Sequence, residues 1–455
     1  MIPFAPGLSS RTAAVRDRAL RLARHENLLA VLKSASLVFV IRIAGAGLTY
    51  ASMICLARWL GAFDFGIYAF VSVIVTLVGL ALSAGFNSSA LRFIPDYLAR
   101  QKWQRLSGFL ARSYAIVFAI SVLGALIAAA LVVAFRGMIE PYYFVPLLVG
   151  LLCVPVWTLL SQGEVTARAF GWVHLAYVPG YIARPVLLLM FVGGLLLVRP
   201  ADAVAALWGF MGACAVAALG QGVILHRRIR ERVTAPGARH HTQHWLTISL
   251  GFLMVDGFRM LLDNADVLLI GKLLDPHSVA VYYAAIRTGG LVAFVSFSII
   301  ALAVPKFAEI HATGTRAELQ KFVTGVIQMT FWPSLLAAVA LAALGPFVMS
   351  LFGPDFEGGY ATMLVVLAGL VLRAATAPAE HLLNVTGYHR DTMRVYAVAA
   401  IANVALNLLL IPRLGIMGAA IATYTAMLSG NAWLYVLVRR RLGVSAFVFG
   451  ARARA

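Results

Sequence analysis

Charged residues are scarce in this sequence. Lys, Arg, Asp and Glu make up 12% of its 455 residues and hydrophobic residues 62%, whereas soluble domains carry roughly 25% charged residues. Acidic residues are the scarcer kind, with 18 Asp and Glu against 37 Lys and Arg. A soluble fold cannot hide so large an apolar fraction, so the composition excludes that class.

Cysteine is nearly absent as well. The three cysteines all lie inside apolar runs, without the spacing of a metal site or a disulfide framework. The only histidine cluster, His240, His241 and His244, has no cysteine or carboxylate beside it. We predict that it lies in a solvated connector and does not bind a metal. We therefore predict neither a metal site nor a cofactor.

Apolar runs dominate what is present. Each is about the 20 residues that a helix needs to cross a bilayer, and they recur from residue 34 to residue 438. The sequence predicts an all-α integral membrane protein with about twelve transmembrane helices. The predicted spans are residues 34–57, 66–90, 113–135, 143–162, 172–197, 203–225, 246–271, 279–304, 322–344, 359–380, 393–411 and 415–437.

Positive charge separates the connectors into two sets. With the amino terminus in the cytoplasm, nearly all Lys and Arg outside the spans fall on the inner side, as cytoplasmic segments require. Both termini are therefore predicted to be cytoplasmic. The residues left on the outer side are Arg58, Arg136, Arg199, Lys272 and Arg413. Because the basic residues are spread over every inner connector, topology explains the charge and no nucleic-acid partner is expected.

The longest inner connector, residues 226–245, divides the chain into lobes at 34–225 and 246–438. A basic arm, 1–33, and a basic tail, 439–455, flank them. The arm is either an amphipathic helix on anionic membrane lipids or a disordered tail that only sets orientation.

The sequences of the two lobes resemble each other at an offset of 214 residues, which aligns Gly66 with Ala280 and Arg92 with Lys306. Because each lobe holds six spans, both enter the membrane from the same side. We expect parallel repeats related by a pseudo-two-fold axis along the membrane normal.

Two motifs carry a resemblance to a known family. Residues 57–68, Ala-Arg-Trp-Leu-Gly-Ala-Phe-Asp-Phe-Gly-Ile-Tyr, followed by Leu-Arg-Phe at 91–93, resemble the opening of polysaccharide flippases of the MOP superfamily. Asn403 and Asn407, followed by Leu-Ile-Pro-Arg-Leu-Gly-Ile-Met-Gly-Ala-Ala-Ile-Ala-Thr at 410–423, resemble that family's hairpin between its last two spans.

The resemblance implies a MATE-like fold. It also implies export of a polyprenyl-diphosphate-linked oligosaccharide across the bacterial cytoplasmic (inner) membrane, for lipopolysaccharide or exopolysaccharide synthesis. Polysaccharide polymerases and glycosyltransferases would be its partners.

The motif residues also have a structural interpretation, which we favour. Gly61, Gly66 and Gly415 would permit tight turns and close helix contacts. Asn403 and Asn407, one turn apart, would hydrogen-bond to a neighbouring helix rather than to substrate.

Five arginines fall inside predicted spans, each about 12 Å from a span end at 1.5 Å per residue. They are predicted to line a wet cavity walled by protein, where a planar, permanently charged guanidinium suits a diphosphate. These candidate substrate-binding residues are Arg42, Arg184, Arg259, Arg287 and Arg373.

Structural pairing competes with substrate binding in the second lobe. Asp256, Arg259, Asp263 and Asp266 are spaced by three, four and three residues, so they share one helix face and can neutralise each other. For Arg259 we favour that pairing. The three aspartates are also candidates to bind a coupling proton or sodium ion.

The first lobe offers its arginines no such partner. Arg42 and Arg184 have no carboxylate at comparable depth, because Glu164 and Asp64 lie near span ends. For these two arginines, a role in ligand binding or lobe gating and a purely structural role both stay open. For Arg287, which also lacks an acid in its own span, we favour a role in ligand binding or lobe gating.

Two other functions are compatible with the composition. An ion-coupled drug or cation exporter of the same superfamily would need an acidic site in the membrane core of the first lobe. An integral-membrane glycan polymerase or glycosyltransferase would need a sizeable outer loop for its catalytic acids, and every predicted outer connector is short. We therefore expect a transporter rather than an enzyme.

Overall fold

A computed structural model of the protein describes residues 8–198, 200, 202–233 and 241–450, with side chains from residue 39 onward except at 295, 298, 301 and 302. The side chains of the basic arm 1–33, and the predicted outer residue Arg199, lie outside the described residues. Within the described ranges the chain is almost wholly helical and contains no strand, which confirms the predicted all-α class.

Thirteen α-helical segments make up the described chain. They are α1 Leu8–Leu82, α2 Phe86–Ala99, α3 Trp103–Ala134, α4 Pro141–Ala169, α5 Val173–Val178, α6 Arg184–Leu196, α7 Ala203–Arg232, α8 Thr242–Leu273, α9 Pro276–Thr313, α10 Arg316–Ser350, α11 Tyr360–Ala374, α12 Ala379–Val385 and α13 His389–Leu442. In the described part of the chain, nine helical stretches are long and apolar enough to cross a membrane. The count of twelve crossings stays a prediction.

Two glycines break the longest helices. Gly61 interrupts α1 with a φ of 75° and Gly415 interrupts α13 with a φ of 58°, a region of backbone conformation that favours glycine. Gly66 serves a different purpose, since a Cβ there would lie 1.7 Å from the carbonyl oxygen of Pro276. The predicted turn and close-contact roles of these glycines are confirmed.

Most helices extend beyond the predicted spans. The third span was predicted to begin at residue 113, whereas α3 begins at Trp103. The predicted linker 226–245 is largely helical, because α7 continues to Arg232 and α8 begins at Thr242; its residues 234–240, which include Arg239 and His240, are not described. Hydrophobicity marks where lipid ends, whereas a helix continues as long as its backbone hydrogen bonds are satisfied.

The described part of the predicted tail packs against the second lobe. Helix α13 runs to Leu442, and residues 443–450 then fold back onto the second lobe. The backbone N–H of Ser445 donates to Oε1 of Gln320 at 2.6 Å, and that of Val448 donates to the carbonyl of Ala375 at 3.1 Å. Residues 451–455 lie outside the described chain.

The two lobes meet where α1 packs on α9 and α8, and where α2 packs on α8. At the first contact Gly66 lies against Pro276 and Ala280, and Ala280 is the residue to which the repeat aligns it. Contact between equivalent segments is what a two-fold axis produces. The pseudo-two-fold relation itself stays a prediction.

Topology can be tested directly with fusion reporters. Because positive charge gathers on the cytoplasmic side, reporters placed after residues 62, 138, 200, 275, 356 and 413 are expected outside. Reporters placed after residues 102, 168, 235, 314, 389 and 445 are expected inside. The readout pairs an enzyme active only outside with a fluorescent protein that matures only inside, and one clear inversion would contradict twelve crossings.

Candidate substrate cavity between the lobes

A two-part cavity lies where the lobes meet. Its parts have volumes of about 430 and 510 Å³, within the roughly 300–1,000 Å³ of small-molecule sites. We name them for the predicted topology. The inner chamber includes Glu164 and Tyr181, and the outer chamber includes Asp266 and Arg373. The residues that line both chambers are Thr49, Met53, Arg184, Ile286 and Arg287.

Three of the predicted arginines face this cavity. Arg184 from α6 and Arg287 from α9 line both chambers, and Arg373 from α11 lines the outer one. Arg287 is exposed although it lies in the middle of a long apolar helix. Its guanidinium lies 4.6 Å from the ring centre of Tyr283. The cavity therefore receives positive charge from both lobes.

Arg42 lines neither chamber but contacts Tyr181, which lines the inner one. It donates to the hydroxyl of Tyr181 at 3.3 Å, and its guanidinium lies 4.4 Å from the ring centre of Phe297. Tyr181 lies in a π-helical turn, Pro179–Ala183, directly before α6. Since Phe297 belongs to the second lobe, Arg42 connects the two lobes.

The position of Glu164 relative to the cavity was not predicted from the sequence. It lines the inner chamber together with Arg184 and lies 3.8 Å from Arg168. Trp157, Leu160 and Glu164 are three and four residues apart and form one wall of the chamber. Glu164 lies near the end of its span, as predicted, but the inner chamber extends to that end of α4, so Glu164 and Arg184 line it together without forming an ion pair.

The aspartates that share a face of α8, Asp256, Asp263 and Asp266, form no ion pair with Arg259 of the same helix. Arg259 instead forms an ion pair with Glu380 of α12 at 3.5 Å. Asp256 accepts a hydrogen bond from the Ser88 hydroxyl of α2 at 2.5 Å. The prediction that these aspartates neutralise Arg259 was therefore wrong in its partner. Side chains on one helix face point outward from the helix axis. A charged group on a neighbouring helix can therefore lie closer to Arg259 than a charged group one turn away on the same helix.

The other arginines have no comparable partner. Among the described residues, no carboxylate lies within 4 Å of Arg42, Arg184, Arg287 or Arg373. An unpaired charge at this depth is expensive unless water or a ligand solvates it. The arginines that face the cavity are thus free to bind an anion.

Asp266 lies in a buried polar cluster beside the outer chamber. It accepts hydrogen bonds from the Tyr282 hydroxyl at 2.5 Å, the Val267 N–H at 2.8 Å and the Thr423 hydroxyl at 3.3 Å. The Nδ2 of Asn407 donates to Oδ1 of Asn403 at 2.5 Å. Oδ1 of Asn407 is buried and has no partner among the described residues.

The amide of Asn403 also donates to the Leu262 carbonyl of α8 at 3.2 Å. The predicted helix-to-helix role of this asparagine is therefore confirmed. Sequence reasoning treated Asp266 and the two asparagines separately. It missed Tyr282 and Thr423, which join them.

Contacts bridge the lobes on both sides of the cavity. On the predicted outer side, the guanidinium of Arg58 donates to the backbone carbonyls of Leu351 at 2.7 Å and Ser350 at 2.8 Å. On the predicted inner side, the indole of Trp245 donates to the Tyr97 hydroxyl at 2.8 Å and the Ser249 hydroxyl to Ser89 at 2.7 Å. The cavity lies between these two sets of contacts.

Known structures share this fold. The chain superposes on the lipid II flippase MurJ in an inward closed conformation with a TM-score of 0.71 and 14% identity, covering 89% of this chain and 87% of that one. It superposes on an inward-facing multidrug resistance MATE family transporter of the MOP superfamily with a TM-score of 0.72 and 14% identity, covering 89% and 98%. At such identities the likeness establishes the fold.

Sequence comparison adds the family. The chain is 23% identical over 176 residues to a probable flippase, AglR, of Haloferax volcanii, an alignment that covers 38% of this chain and 37% of that relative. The model of the polysaccharide biosynthesis protein family matches residues 31–311, well over half of the chain. The chain therefore belongs to the polysaccharide biosynthesis protein family.

Proposed function

We propose that this protein moves a polyprenyl-diphosphate-linked oligosaccharide across the bacterial cytoplasmic membrane by alternating access, for lipopolysaccharide or exopolysaccharide synthesis. One observation carries the proposal: Arg184, Arg287 and Arg373 face one cavity from both lobes without an ion-pair partner among the described residues. Each guanidinium offers paired donors in a plane, which match the oxygens of a diphosphate.

The contacts between the lobes support the transport cycle. The outer set joins Arg58 to Ser350 and Leu351, and the inner set joins Tyr97 to Trp245. Breaking one set while keeping the other would open the cavity to one side at a time. The prenyl tail would stay in lipid at a lateral gap between the lobes, so only the diphosphate and sugar need a polar path.

Asp266 supports coupling to an ion gradient. Its carboxylate, the Thr423 hydroxyl and the unpartnered Oδ1 of Asn407 present oxygens within one buried cluster. Asp266 and Thr423 also line the outer chamber, from which an ion can enter. Oxygen ligands of this kind suit a sodium ion, and the same carboxylate can take up a proton.

A drug or cation exporter is the second candidate, and Glu164 is the observation that favours it. This acid lies in the first lobe's share of the inner chamber, where an exporter would need one. However, Arg184 and Arg287 line the same chamber, and Arg168 lies 3.8 Å from the carboxylate. The surplus of positive charge favours an anionic substrate.

Reconstitution distinguishes the two candidates. The protein is placed in liposomes that contain a short polyprenyl-diphosphate oligosaccharide labelled on its sugar. A membrane-impermeant reductant bleaches the label only in the outer leaflet. Without transport, the label in the inner leaflet stays intact; with transport, nearly all of the labelled lipid is expected to be bleached. Parallel vesicles loaded with a cationic dye should retain it. Dye efflux without movement of the labelled lipid would favour the exporter instead.

A further inference from the structure

A third cavity, of about 320 Å³, lies inside the second lobe between α8, α9, α11, α12 and α13. We call it the side chamber. Asp263, Leu370 and Arg373 line both the side chamber and the outer chamber. The side chamber therefore adjoins the outer chamber across these three side chains, whose movement would let a centrally held ligand extend into it.

The lining combines groups of opposite charge. Arg259 and Arg373 contribute two positive charges, and Asp263 and Glu380 contribute two negative charges. The ion pair between Arg259 and Glu380, at 3.5 Å, fixes two of these side chains across α8 and α12. With the charges balanced, the side chamber favours neither a second phosphate nor a cation.

Its polar groups do suit hydroxyls. His381 and Asn431 line the side chamber, and Nδ1 of His381 is buried without a hydrogen-bond partner among the described residues. A sugar hydroxyl both donates and accepts, so it can satisfy an imidazole, an amide, a carboxylate and a guanidinium. Phe297, Ile300 and Leu370 form an apolar wall that can cover the C–H face of a sugar ring.

We propose that the side chamber binds the sugar nearest the diphosphate, while Arg184 and Arg287 hold the diphosphate itself. The inference rests on the proposed flippase function and adds to it a second subsite, which recognises a neutral polyol. Discrimination between glycans would then depend on the second lobe and binding of the diphosphate on the central arginines. His381 and Asn431 are the positions at which the glycan is selected.

Transport of two probes tests this division. One probe is polyprenyl diphosphate carrying a single hexose, and the other is bare polyprenyl diphosphate. His381→Ala and Asn431→Ala are each expected to slow movement of the hexose probe about tenfold, the effect of roughly one buried hydrogen bond. Movement of the bare diphosphate should stay at the wild-type rate. Arg287→Ala should slow both probes.

Matched controls separate recognition from folding. Asn384→Ala, an exposed asparagine on α12 outside the side chamber, should change neither rate, and His381→Asn, which keeps a polar side chain, should recover part of the hexose rate. Equal slowing of both probes by His381→Ala, or no slowing of either, would overturn the side chamber alone. If the wild type moves neither probe, the flippase function fails and the subsite fails with it.

Discussion

Replacing Arg287 by alanine is expected to abolish export of surface glycan while leaving the amount of protein in the membrane unchanged. Arg287 lines both chambers and, among the described residues, has no ion-pair partner, so its charge is available to the diphosphate. Folding should suffer little, because a solvated charge contributes about 0–1 kcal/mol and its stacking on Tyr283 roughly 0.5–1 kcal/mol.

Lysine at the same position should restore export only in part, since an ammonium is a point charge without paired donors. Arg413→Ala, which removes an exposed arginine in the predicted outer connector, is the matched control and should export normally. Surface glycan is measured with lectin, and membrane protein by immunoblot. Normal glycan with Arg287→Ala would refute the phosphate role, and loss of the protein would assign the residue to structure.

Asp266→Asn is expected to have the second large effect, the loss of transport driven by an ion gradient. Asparagine has the shape of aspartate: its Oδ1 can still accept from the Val267 N–H, and its Nδ2, in place of the other oxygen, can donate to the Tyr282 hydroxyl. It lacks the negative charge that would hold a sodium ion and the carboxylate that would take up a proton. The variant should therefore fold and still bind the labelled lipid.

The measurement compares lipid movement in liposomes with an imposed sodium gradient, an imposed pH gradient or neither. The wild type should respond to one gradient, and Asp266→Asn to neither. Asp355→Asn, on the exposed turn before α11, removes an acid of the same type and should keep the response. A full gradient response in Asp266→Asn would assign coupling to another group, with Asp256 and Asp263 the next to test.

The chemistry of the candidate site followed from the sequence only in part. Five arginines inside the predicted membrane spans indicated a water-filled cavity, and Arg184, Arg287 and Arg373 do face a cavity. Rotation about a helix axis decides whether a side chain points to lipid or to a cavity, and a nearly uniform apolar run carries no signal of that rotation. This is why Arg42, at equal predicted depth, packs against Phe297 and lines neither chamber.

The sequence by itself determined the membrane class, the all-helical fold and the glycine turns. Hydrophobic run length, the charge of the connectors and the need for a positive φ at Gly61 and Gly415 are all local properties of the chain. Only the tertiary structure decided the partners of the buried charges. Glu380 binds Arg259, and Tyr282 and Thr423 surround Asp266, because distances between helices depend on packing that spacing along one helix does not encode.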